Sequence, residues 1–151
     1  MATQHKPGRK ASRRQFAALP CTAGANGPMV MLVTSRGTGR WVLPKGWPKK
    51  HLTGSETAAL EAFEEAGLVG DVAPDAVGLY HYPKRMPGGG TIRCDVDVFP
   101  MKVAELLEDW PERGQRQRKW FTLTEAARLV AEQDLTKLLL RLAMAGEKVL
   151  S

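Results

Sequence analysis

Short apolar runs alternate with Gly- and Pro-rich breaks through the first third of the chain and again after residue 75. Residues 15–21 (QFAALPC) and 29–35 (MVMLVTS) read as strands on either side of the turn GANGP (24–28), and WVLP (41–44) as a short strand that Pro44 ends. Residues 76–82 (AVGLYHY) and 91–101 (TIRCDVDVFPM) form a further strand pair across PKRMPGGG (83–90). In the second of these, Ile92, Cys94, Val96 and Val98 share one face, with Arg93, Asp95 and Asp97 opposite. Helical spacing begins at Thr53-Gly-Ser-Glu56, a capping box, and Gly67 suits the far cap, so a helix is expected over 54–66. Residues 104–118 read as a polar connection and KWFTL (119–123) as a short extended segment. Thr122-Leu-Thr-Glu125 is a second capping box, opening a helix to about 132, and Leu135, Leu138, Leu139, Leu142 and Ala143 predict a last amphipathic helix over 135–145. Strands around one early helix, with helices at the end, predict a mixed α/β or α+β layer fold.

Composition narrows this picture a little. The 151 residues suit one domain, and 43% hydrophobic with 25% charged residues is ordinary for a soluble globular protein. No apolar run approaches the roughly 20 residues that cross a bilayer, and the N-terminus lacks a secretory apolar core, so the expectation is a cytoplasmic protein without membrane contact. Cys21 and Cys94 form neither a metal-type pair nor a redox motif and are expected as buried free thiols. The net charge of +6 is concentrated at one end: Lys6, Arg9, Lys10, Arg13 and Arg14 occupy residues 1–14 without an acid. Removing those five from 22 basic residues leaves 17 against 16 acidic ones. A basic, mobile tail over 1–14 and a single domain over 15–151 are therefore expected, with nucleic acid not the expected partner. The scattered His5, His51 and His81 exclude a histidine zinc site by spacing.

The helix over 54–66 carries an unusual charge pattern. Glu61, Glu64 and Glu65 are related by three and four positions and share a face. No basic residue lies three or four positions from any of them within the helix, and the like-charged 61/65 pair costs about 0.2–0.5 kcal/mol. They also occupy the second half of the helix, where the macrodipole disfavours anions. A solvated acidic stripe and a divalent-cation site are the two readings, and a hard cation such as magnesium or manganese would remove both costs. Lys45, Lys49 and Lys50 flank the loop entering the helix N-terminus, a natural setting for phosphate.

Residues Gly46 to Leu68 resemble the Nudix box, the 23-residue signature G-x5-E-x7-R-E-U-x-E-E-x-G-U of the Nudix hydrolases. Gly46 matches the opening glycine, Glu61 the glutamate of the R-E pair, Glu64 and Glu65 the paired glutamates, and Gly67-Leu68 the close, without a gap. The first box glutamate falls at Leu52 and the arginine at Leu60. In the family that arginine helps to hold a catalytic glutamate, so its loss leaves the orientation to something else, such as a lysine or arginine from another strand. The resemblance implies an α/β/α sandwich with a mixed sheet, covering most of residues 15–145.

It also implies hydrolysis of a phosphoanhydride bond with Mg2+ or Mn2+, held by Glu61, Glu64 and Glu65 with the Gly46 carbonyl as a further ligand. The general base is Glu64 or Glu65, or alternatively Glu112 from a later loop, for which an exposed loop acid is the competing reading. The wording RWVLPKGWPKK most resembles diphosphoinositol polyphosphate and diadenosine polyphosphate hydrolases, which implies a polyphosphorylated small-molecule substrate. Arg36, Arg40, Lys45, Lys49, Lys50, Arg85 and Arg93 are the candidates to bind it, joined by Lys84, Arg113, Arg116 and Arg118 in the hairpin and late loop. Trp41, Trp47 and Trp110 are candidates to stack on a base, with Trp41 and Trp120 equally suited to a core. The alternative to an enzyme is a catalytically degenerate Nudix-fold module binding a ligand or RNA, which the leucines at 52 and 60 keep open.

Overall fold

The computed structural model describes residues 12–146. Eight strands and three helices follow in the order β1 (Ser12–Gly24), β2 (Gly27–Thr34), β3 (Trp41–Val42), β4 (Lys45–Gly46), α1 (Gly54–Ala66), β5 (Leu68–Val72), β6 (Gly78–Arg85), β7 (Thr91–Leu106), β8 (Arg118–Thr122), α2 (Leu123–Leu129) and α3 (Gln133–Ala145). The sheet is mixed. Strands β1 and β7 run parallel through its centre, from Ser12 opposite Arg93 to Cys21 opposite Lys102. All other pairings are antiparallel: β2 and β4 on the far side of β1, β5 and β6 on the far side of β7, and β3 and β8 on β2.

Alternation along the central strands makes two cores. Ala17, Leu19 and Cys21 of β1 face one way with Val96 and Val98 of β7, and meet Leu135, Leu138, Leu139 and Leu142 of α3 together with α2. Ala18 faces the other way with Phe99 and Met101, against Ala58, Ala62 and Ala66 of α1. The result is the expected α/β/α sandwich. The small side chains on α1 let the helix lie close to the sheet, and Gly54 at its start allows Phe16 to pack there, since a Cβ would come within 2.9 Å of the Phe16 ring. Phe63, on the outer side of the helix, is partly exposed.

Several boundaries differ from expectation. Strand β1 starts at Ser12, so Arg13 and Arg14 belong to the sheet, and Arg14 pairs with Asp97 at 2.7 Å. This moves the tail boundary; residues 1–11 lie outside the described residues. Strand β7 continues to Leu106 because β5, not foreseen, pairs with its second half. The helix α2 stops at Leu129, with Val130 in extended conformation. Both capping boxes form: Thr53 with Glu56, and Thr122 with Glu125. Cys21 and Cys94 are free and buried, and burial pushes the Cys21 thiol up to about 12. No helix among the described residues is long and apolar enough to cross a membrane.

Candidate active site

The helix α1 places its acids by row. Thr57, Glu61 and Glu65, spaced four apart, form one row and are all buried, beside the Ala58-Ala62-Ala66 row that meets the sheet. Glu61 is 6% exposed and Glu65 7%. These carboxyls reach the interior because β4 presents a glycine to them: a Cβ on Gly46 would lie 2.4 Å from the Glu61 carboxyl carbon. The Glu61 and Glu65 carboxyls are neighbours on this row, so a negative charge on Glu61 adds to the cost of one on Glu65. Burial, partly offset by Arg116, pushes Glu65 up to about 8, and burial also raises Glu61 against the pull of Lys49.

The C-terminal end of α1 anchors the late loop. Gly67 caps the helix in the left-handed conformation at φ 65°. The exposed carbonyls then find donors outside the helix: Glu64 from the Glu112 amide at 3.0 Å, Glu65 from the Trp110 indole at 3.2 Å, and Ala66 from Arg118 at 2.8 Å. The Arg118 guanidinium lies 4.0 Å from the centre of the Trp110 ring. It supplies the positive charge that the last helical turn lacks.

This anchoring brings Glu112 and Arg116 beside the acids. Arg116 Nε bonds Glu112 Oε1 at 2.7 Å, its Nη2 lies 3.6 Å from Glu65 Oε2, and its Nη1 donates to the Thr34 carbonyl at 3.1 Å. Its side chain is only 10% exposed. Lys49 Nζ lies 3.3 Å from Glu61 Oε2. Arg116 thus contacts Glu65 and Glu112 from the late loop rather than from another strand, and Leu52 is exposed at 38%. Sequence placed Arg113, Arg116 and Arg118 together without distinguishing them. Arg113 is exposed, 3.9 Å from Asp109, so each of the three has a different use.

A cleft of about 410 Å3 opens over this cluster. It gathers Gly46, Glu61, Glu64, Glu65 and Glu112, so the reading of Glu112 as an exposed loop acid is corrected. Of the expected substrate cations it gathers Arg36, Lys45 and Lys49. The other four stand elsewhere. Arg40 lines a separate hollow near His81 and Asp134, because the 35–40 turn directs it away; Arg85 lies at the tip of the β6–β7 hairpin; Arg93 pairs with Asp95 at 2.9 Å; Lys50 is exposed outside the cleft lining. Trp47 lines the cleft, whereas Trp41 packs edge-on to Phe121 at 5.0 Å. Gln15 and Tyr82 also line it and were not foreseen. The signal for Gln15 was present: it shares a strand face with Ala17, Leu19 and Cys21, where an apolar residue is the rule.

Among the described residues, no three His, Cys, Asp or Glu side chains converge as a ready-made metal cluster. The donor set still fits a hard divalent cation. Burial disfavours charge on both Glu61 and Glu65, and an ion with two charges would offset that cost for both and for the neighbouring Glu64. Without such an ion the buried acid makes stability depend on pH. Glu65 has a folded pKa above its ordinary value, so the fold binds more protons than the unfolded chain between about pH 4.5 and pH 8, and stability falls as pH rises through that window. In chelator-treated protein, Glu65→Gln should remove much of this slope and raise stability at pH 8 by about 1–3 kcal/mol, read from urea unfolding at pH 5 and pH 8.

The fold and the cluster define an α/β/α sandwich with a helix-borne carboxylate site bordered by phosphate-type cations. No protein-family model matches the chain. Sequence relatives are clear: the mitochondrial Nudix hydrolase 12 of Arabidopsis thaliana is 37% identical over 106 residues, 66% of this chain and 51% of that protein. The chloroplastic Nudix hydrolase 21 of the same plant is 35% identical over 101 residues, 66% and 49% of the two chains. The mouse (Mus musculus) diphosphoinositol polyphosphate phosphohydrolase 3-alpha is 29% identical over 120 residues, 78% of this chain and 69% of that one. The chain spans about half the length of the plant relatives. In fold it matches the C. elegans Ap4A hydrolase with a TM-score of 0.64 at 14% identity, over 89% of this chain and 98% of that one. In sequence and in fold the chain is similar to Nudix hydrolases.

Proposed function

We propose that this protein is a metal-dependent pyrophosphohydrolase that cleaves a phosphoanhydride bond in a polyphosphorylated small molecule, of the diphosphoinositol polyphosphate or dinucleoside polyphosphate kind. The observation that carries this reading is the buried Glu61–Glu65 pair opening on a cleft that also holds Lys45, Lys49 and Arg36. Glu61, Glu64 and Glu65, with the Gly46 carbonyl, would hold Mg2+ or Mn2+. A bound divalent ion neutralises adjacent phosphates and lowers the pKa of water. Lys45 and Arg36 suit the phosphate oxygens, lysine as a point charge and arginine as a fork. Arg116 fixes the directions of Glu65 and Glu112, one of the acids available, with Glu64, to take the proton of the attacking water. The water oxygen bonds to phosphorus as the bridging P–O bond breaks, and the released phosphate carries away the electron pair. Two free, buried thiols support a reducing compartment, with the cytoplasm as the proposed location.

The test is a turnover panel with magnesium or with chelator, using a diphosphoinositol polyphosphate, diadenosine tetraphosphate, a nucleotide sugar and a nucleoside triphosphate. The expected result is magnesium-dependent cleavage concentrated on the first two. Folded protein that cleaves none of them in magnesium or manganese, yet is stabilised by one, would replace this reading with that of a binding module.

A further inference from the structure

Gln15 is 3% exposed, on the central strand β1, yet it lines the cleft. Its side-chain oxygen accepts the Tyr82 hydroxyl proton at 2.6 Å. The Tyr82 hydroxyl stays protonated, because burial raises its pKa further. With the oxygen committed, the amide nitrogen carries two N–H donors, and no acceptor among the described residues meets them. The nitrogen is not itself shut off from solvent, so its two donors open on the cleft, where water or a ligand oxygen accepts them.

The cations beside Gln15 are in the same condition. Lys45 Nζ lies 5.1 Å from the Tyr82 ring centre and Lys84 Nζ 5.9 Å from that of Trp47, and neither makes an ion pair among the described residues. Lys49 and Arg116, by contrast, are engaged with Glu61, Glu65 and Glu112. The short strand β4 explains the division, since Gly46 meets Glu61 while Lys45 lies beside Tyr82. Three donor groups from β1, β4 and β6 therefore wait for acceptors. The two aromatic rings of this part of the cleft already carry ammonium groups, and Trp110 is held by Arg118 and the Glu65 carbonyl. A nucleobase finds little free ring surface on which to stack.

We propose that Gln15, locked by Tyr82, reads a phosphate oxygen of the substrate together with Lys45 and Lys84, and that this donor set selects a densely phosphorylated cyclitol over a dinucleoside polyphosphate. This rests on the pyrophosphohydrolase reading for its biological meaning, but its test does not require turnover. Binding of inositol hexakisphosphate and of diadenosine tetraphosphate is measured by calorimetry in chelator and 150 mM salt, on wild type, Gln15→Leu and Tyr82→Phe. The first variant deletes the donors; the second keeps the ring but frees the amide to rotate. Inositol hexakisphosphate should bind at least about tenfold tighter than diadenosine tetraphosphate, and each variant should weaken it by about five- to tenfold with the fold intact. Diadenosine tetraphosphate binding as tightly overturns the proposal, and so does unchanged inositol hexakisphosphate affinity in the folded Tyr82→Phe protein. Tyr82→Phe decides the matter if Gln15→Leu does not fold. Absent hydrolysis in the panel with this binding pattern intact would overturn the enzyme reading and leave the subsite standing.

Discussion

Glu65→Gln is expected to cut magnesium-dependent turnover by about a hundred- to ten-thousand-fold while making the metal-free protein more stable at pH 8. The two effects have one origin. Glu65 is buried beside Glu61, in an environment that resists its charge and pushes its pKa up to about 8. A purely structural carboxylate would not be kept there, since glutamine fills the same volume without the penalty. Loss of activity through unfolding would lower stability, so opposite movements of turnover and unfolding midpoint separate a functional acid from a structural one. Glu61→Gln should follow the same pattern, because Glu61 also has a raised pKa from burial, and Lys49 offsets only part of it. Steady-state kinetics with urea unfolding on the same preparations checks both. Full activity in folded Glu65→Gln would mean that this carboxylate neither holds an ion nor handles a proton.

The second large effect is expected at Arg116. Its guanidinium meets Glu112 at 2.7 Å, Glu65 at 3.6 Å and the Thr34 carbonyl at 3.1 Å, with little solvent access. Arg116→Ala leaves two carboxylates and a carbonyl without their partner, and breaking a buried pair in this way costs about 3–5 kcal/mol. The late loop loses its tie to Glu65, so turnover should fall as well. Arg116→Lys should recover part of the stability but not the full rate, because a point charge cannot span both acids as the planar fork does. Denaturant unfolding and kcat on the two variants provide the measurement. A cost within about 0.5 kcal/mol for Arg116→Ala would show the contact to be an ordinary surface pair.

What the sequence disclosed follows the strength of its local signals. The helix α1 was legible residue by residue, because a capping box opens it and a left-handed glycine closes it. The central strands were legible from apolar runs and alternation, though β1 begins earlier than its apolar run, at Ser12. Strand β5 was not, since Gly70 and Asp71 interrupt LVGDV and a register shift falls between Val69 and Gly70. Gly70 is required there because a Cβ would lie 2.1 Å from the Lys102 carbonyl oxygen. The two-residue strand β4 has no periodicity to read, yet it sets Gly46 against Glu61. Within the site, the helix acids and Lys45 and Lys49 came from one contiguous stretch. Arg116, Gln15 and Tyr82 come from three other strands and loops, and their convergence is a property of the sheet and of the α1 carbonyls that hold the late loop.

The most direct test of the cation site is a manganese titration at pH 7, followed by electron paramagnetic resonance and by proton release into weak buffer. The account predicts specific binding to wild type, release of the proton that Glu65, with its pKa pushed up to about 8, holds at pH 7, and loss of both signals in folded Glu61→Gln/Glu65→Gln protein. Equal manganese binding by the two proteins, or none by wild type, would contradict it.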